Sequence, residues 1–246
     1  MDRLIYTAMT SAKHIMEQQA NVSHNLANAT TTGFRAQLDS FRAVPVISEG
    51  LPTRAFVVDS TVGTDFAPGA LQQTGRALDV AVQGKGWIAV QMPDGSEAYT
   101  RHGNLQLSEN GILQTHSGLP VLGDGGPISL PPDLTVSIAK DGTISGTDSV
   151  TVPAAVNVIG RLKLVNPPEE TLVRGDDGLF RTNDGAPAEA DATVTVAGGA
   201  LEASNVNVVD ALVSMISLSR QFEMQMNLLK NAETNATKAS QLLALT

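Results

Sequence analysis

Cysteine is missing from all 246 residues, which removes disulfides, thiol nucleophiles and thiolate metal ligands together. Aromatics are scarce at 4%, with one tryptophan, Trp87. No apolar run approaches the ~18 residues that a membrane helix needs, so direct membrane insertion is not expected. The opening MDRLIYTAMTSAKHIMEQQ has no basic stretch leading into an unbroken apolar one, so a cleaved secretory signal is not expected either. Basic excess is missing too. The formal net charge is −9, and the deficit lies in the middle: residues 43–206 carry 9 basic and 19 acidic groups, against 4 and 3 in 1–42 and 3 and 3 in 207–246. With no basic face in any segment, the chain is not expected to bind nucleic acid.

What is present is organised around residues 207–246, which contain neither Gly nor Pro. Every seventh residue from Val208 is apolar (Val208, Met215, Phe222, Leu229, Ala236, Leu243), and Leu212, Leu218, Met226, Ala232 and Ala239 follow at three or four. That spacing predicts a helix with one continuous apolar stripe, the seam of a coiled coil. Asn207 with Asp210 marks its start. At ~1.5 Å per residue the rod is roughly 60 Å long. A plainer reading, an amphipathic helix packed on its own domain, fits less well, because such helices usually run about 8–20 residues.

The first residues repeat the pattern. Ile5, Ala8 and Met9, Ala12, Ile15 and Met16, Val22 and Leu26 recur at three to four, broken at Gln19, and predict a helix over 3–27. It stops where Asn28, three threonines and Gly33 follow. Two stripes in one chain pair most simply with each other, since closing the long loop between them costs entropy that grows only logarithmically. Between them, aliphatic runs such as Leu78–Val82, Trp87–Met92 and Val158–Leu164 are separated by Asp94-Gly95, Asn110-Gly111, Asp124-Gly125, Asp141-Gly142, Asp177-Gly178 and Asp184-Gly185. Asx-Gly pairs tolerate positive φ and mark hairpin turns, so these strands are expected to be antiparallel. The expected fold class is α+β, with the N- and C-terminal helices (1–33 with 204–246) paired as a coiled-coil domain. An extended connector with room for one hairpin follows over 34–74, then a mainly antiparallel β domain over 75–203.

The motifs that carry chemistry are incomplete. Gly84-Lys85-Gly86 lacks the third glycine and helix of a dinucleotide loop and reads as a turn. His14 with His24, and His102 with His116, have no metal-ligand spacing. The Asp-Gly pairs lack the remaining ligands of a calcium loop. No enzyme, no metal and no cofactor is expected. A secreted β-domain binding module dimerised by its helices, or a glycosidase using two of the many carboxylates, are the rival classes.

Asn25-Leu26-Ala27-Asn28-Ala29-Thr30-Thr31-Thr32-Gly33-Phe34 resembles the N-L-A-N-x-x-T-x-G-[FY] signature of flagellar axial proteins, those of rod and hook. Thr74–Trp87, Glu97–Leu105, Ser117–Gly123 and Leu201–Asn207 continue the resemblance over nearly the whole chain. Residues 34–46 and 220–226 are most similar to the proximal-rod branch, with the distal-rod branch next. Trp87 departs from the family, whose members usually carry Phe followed by another aromatic. The resemblance implies a subunit of the rod that crosses the periplasm, exported through the flagellar type III apparatus without a cleaved signal. It implies assembly with copies of itself and with the rod subunits FlgG, FlgB and FlgC. The motif residues are then Asn25, Leu26, Ala27, Asn28, Thr31, Gly33 and Phe34. The assembly interface is expected on Ile5, Met9, Ala12, Met16, Val22, Leu26, Val208, Leu212, Met215, Leu218, Phe222, Met226, Leu229 and Leu243.

Overall fold

The computed structural model describes residues 2–45, 55–131, 134–148 and 156–244. Among them are two α-helices, α1 (Asp2–Ala27) and α2 (Val208–Ala244), and eighteen strands. The strands are β1 Gln37–Pro45, β2 Ala55–Thr64, β3 Leu71–Gln73, β4 Val80–Gln83, β5 Trp87–Gln91, β6 Glu97–Thr100, β7 Leu105–Leu107, β8 Leu113–Thr115 and β9 Leu122–Gly123, followed by β10 Gly126–Pro127, β11 Leu134–Ile138, β12 Thr143–Asp148, β13 Val156–Arg161, β14 Leu164–Val165, β15 Leu172–Arg174, β16 Phe180–Thr182, β17 Thr195–Gly198 and β18 Ala200–Glu202. They form two compact units. One holds residues 1–29, 36–65 and 206–246, the other 30–35 and 66–205.

In the first unit α2 begins on Asn207, whose side-chain oxygen accepts the amides of Val209 at 3.0 Å and Asp210 at 3.4 Å. Those are two of the donors that a helix start leaves unpaired. The C-terminal end of α1 is closed by Asn28, whose amide and side chain both donate to the His24 carbonyl. Strands β1 and β2 pair antiparallel, with a bulge at Ser40/Phe41. Asn25 fastens this hairpin to α1: its side chain accepts the Gln37 N–H at 2.8 Å and donates to the Gln37 carbonyl at 2.9 Å. The His14 ring meets Phe41 edge-on at 5.9 Å.

The expected fold class needs correction here. The described residues hold one helix at each end and a mainly β chain, and no paired coiled coil is shown. A coiled-coil domain needs two apolar seams that seal each other. Instead α1 buries Ala8, Ala12 and Ile15, while Met9 and Met16 stay 56% and 58% exposed. Among the described side chains of α2 only Leu218 and Ala232 are buried, and Val208, Leu212 and Met226 stand in solvent. The hairpin β1–β2 also packs on α1, so the helix divides its contacts between two neighbours.

In the second unit every strand pairing is antiparallel. A five-stranded sheet has the order β14-β5-β6-β16-β15, and a three-stranded sheet the order β11-β12-β13. Strands β17 and β18 return to pair with β4 and β3. Val80, Val82, Ile88, Val90, Leu105, Leu113, Ile144, Leu162 and Val196 make the main core. In a second cluster the tilted rings of Trp87 and Phe180 lie 4.5 Å apart, with Phe66 edge-on to Trp87 at 6.0 Å. Five of the six Asx-Gly turns place Gly at positive φ; in the sixth, Asp124-Gly125, that conformation passes to Gly126.

Candidate assembly surface

The terminal helices leave apolar side chains in water. On α2, Val209 and Val213 are 66% and 61% exposed, and Ile216, Met224 and Leu228 are exposed as well. A monomer gains nothing from a row of exposed aliphatics, and contiguous patches of this kind mark contact sites. Of the residues expected at the interface, Met9, Met16, Val208, Leu212 and Met226 are exposed, and Ala12 and Leu218 are buried within the unit. Ile5, Val22, Leu26, Met215, Phe222 and Leu229 are half-buried, and the side chain of Leu243 lies outside the described ones. Sequence reasoning missed Val209, Val213 and Ile216. Their i, i+4, i+7 spacing was the available signal, hidden because the seven-residue series from Val208 ran beside it.

The family motif has a physical reading of its own. Asn25 and Asn28 form the hydrogen bonds at the end of α1 given above. Gly33 has φ +68°, and its N–H donates to the Glu202 carbonyl at 2.7 Å. A Cβ there would stand 2.4 Å from the Arg101 carbonyl carbon. Phe34 is buried, with the Arg174 guanidinium 4.5 Å above its ring. Replacing Gly33 by Ala combines left-handed strain with backbone overlap, so we expect Gly33→Ala to lower stability of the second unit by about 2–4 kcal/mol. Urea unfolding followed at Trp87 measures it, and an unchanged midpoint contradicts it.

Next to Phe34 lies a buried ion cluster to which the sequence assigned no role. Arg35 Nη2 donates to Glu202 Oε1 at 2.7 Å, and Arg101 Nη1 donates to Glu202 Oε2 at 3.0 Å. Arg101 also donates to the carbonyls of Val82 and Gly84 and lies 5.2 Å over the Trp87 ring. Burial pulls the Arg101 pKa down; the Glu202 charge works against that and the Arg35 charge adds to it. The signal was Arg35, Arg101 and Glu202 standing inside three of the matched segments, where an all-but-buried charge requires a partner.

An open groove between Pro167, Thr182, Pro187 and Asp191 is lined by the carboxylates of Asp184, Glu189 and Asp191 and the hydroxyls of Thr171 and Thr182. No group of three His, Asp or Glu among the described residues is arranged to hold a metal. No helix of the described residues is long and apolar enough to cross a membrane.

Residues 81–146 match the family model described as the flagellar hook protein FlgE/F/G D1 domain, and residues 197–242 the model described as the flagellar basal body rod FlgEFG protein C-terminal. The chain is 48% identical to the flagellar basal-body rod protein FlgF of Escherichia coli K12 over 251 aligned positions, covering all of both. Its identity to the FlgF protein of Salmonella typhimurium LT2 is 47%, with the same coverage. The flagellar basal-body rod protein FlgG of Buchnera aphidicola subsp. Schizaphis graminum is 31% identical over 92% of this chain and 95% of its own.

Proposed function

The chain belongs to the FlgF family of flagellar basal-body rod proteins, and from that premise we propose that it builds the proximal part of the rod through its terminal helices. It is a structural component of the flagellar basal body and serves motility. The finer reading is that α1 and α2 pack against copies of the chain and against related subunits, FlgG, FlgB and FlgC. Rigid packing then carries torque along the shaft without catalysis. The chain reaches the periplasm through the type III apparatus with no cleaved signal. The identities of 48% and 47% to the FlgF proteins of Escherichia coli and Salmonella typhimurium, against 31% to the Buchnera FlgG protein, support the proximal over the distal position.

One observation carries the reading: the exposed row Val209, Val213 and Ile216 on a 37-residue helix. Burying such side chains fully is worth about 1.5–3 kcal/mol each, which supports cover by neighbouring subunits. Hydrogen exchange tests it. In dilute solution the amides of α2 are expected to exchange much faster than those of β4, β5 and β12, because few buried contacts hold that helix. In isolated basal bodies the same amides are expected to be protected. Equal protection of α2 in the dilute chain and in the basal body argues against helix-mediated assembly.

A further inference from the structure

Four segments distant in the chain meet on one carboxylate. Glu202, the last residue of β18, accepts Arg35 Nη2 and the Gly69 N–H on one oxygen and Arg101 Nη1 on the other. Its carbonyl accepts the Gly33 N–H. The side chains of Arg35, Arg101 and Glu202 are 0%, 3% and 1% exposed. The charges do not balance: two guanidiniums face one carboxylate. Arg35 Nε and Nη1 and Arg101 Nε have no hydrogen-bond partner among the described residues. Both arginines precede Glu202 by a long stretch, 167 residues for Arg35 and 101 for Arg101.

We propose that the docking of β18 with Glu202 is the rate-limiting closure of the β unit, so that the unit stays open until nearly the whole chain is present. Before Glu202 arrives, the two arginines have two options. They stay in water, which holds residues 33–35 away from the sheet, or they are buried as facing like charges with no counter-ion. Leaving a buried charge without its partner is strongly destabilising. The segment that brings the carboxylate also brings β17 to β4 and β18 to β3, and closing loops of this length is slow in itself. Ladder and counter-charge therefore arrive together and late. For a chain that passes through an export apparatus, slow closure of the β unit leaves the middle threadable for longer. That consequence rests on the export reading above; the gate does not.

Trp87, the only tryptophan, lies under the Arg101 guanidinium and reports closure. The test is stopped-flow refolding and unfolding of the full-length chain by Trp87 fluorescence. Glu202→Gln keeps the shape and removes the charge. It is expected to slow folding by about tenfold or more and to change unfolding much less, the signature of a contact formed in the transition state. Arg35→Met leaves one cation on one anion and is expected to fold at least as fast as the natural chain. Wild-type folding rates in Glu202→Gln, with faster unfolding alone, overturn the gate. So does equal slowing in Arg35→Met. Should Glu202→Gln fail to fold, Arg35→Met/Arg101→Met/Glu202→Gln, which removes both cations with the anion, must restore folding, and failure of that variant overturns the charge argument. A slow-folding purified Glu202→Gln chain together with a natural chain absent from flagella would refute the export reading and leave the gate standing.

Discussion

Gly103→Ala is expected to unfold the β unit or cost it at least about 4 kcal/mol, beyond the usual range of single substitutions. A Cβ at this position would lie 1.5 Å from the Val80 carbonyl oxygen, inside any possible contact. Neither side can retreat. Val80 is fully buried in the main core, its N–H donates to the Gly103 carbonyl at 2.9 Å, and Asp79 and Asn104 bridge beside it. Parting the two segments would pull Leu105 from the core on one side and Arg101 from Glu202 on the other. The obstacle is backbone, so no rotamer change relieves it. Thermal and urea unfolding by Trp87 fluorescence measure the loss, and a midpoint within 1 kcal/mol (roughly, on the scale of ordinary surface changes) of the natural chain refutes the account.

Phe222→Asp is expected to have the largest effect on function, abolishing incorporation into the basal body and with it motility. Phe222 is half-buried on α2, one turn from buried Leu218 and two turns from half-buried Leu229. A carboxylate there must either keep its water, which breaks packing along that side of the helix, or lose it at a cost of several kcal/mol. The β unit lies elsewhere in the chain, with its own core, and its Trp87-monitored unfolding midpoint is expected to stay where it was. The matched control is Glu223→Gln, one residue on and exposed, which is expected to swim normally. Normal motility in Phe222→Asp removes the proposed role of this helix, whereas a lowered midpoint of the β unit would show that the two units are not independent.

Much of this protein is determined by local sequence. Asn207 marks the start of α2 and Asn28 the end of α1 because capping is a matter of a few neighbouring residues. Asx-Gly pairs mark most turns because positive φ is a property of the residue that adopts it. The motif from Asn25 to Phe34 led to the family for the same reason, since its residues act on the backbone close by. Tertiary structure alone decided which apolar residues are covered. Both Ala8 and Met9 lie on the predicted stripe of α1, and only packing buried the alanine and left the methionine in water; periodicity locates a stripe to within about a residue, not its partner. It also decided that a hairpin shares the packing of α1, which removed the sealed two-helix seam. Most of all, it brought Arg35, Arg101 and Glu202 together. Charges 101 and 167 residues apart carry no mark in the sequence of which will meet, because their pairing is set by the strand order that folds around them.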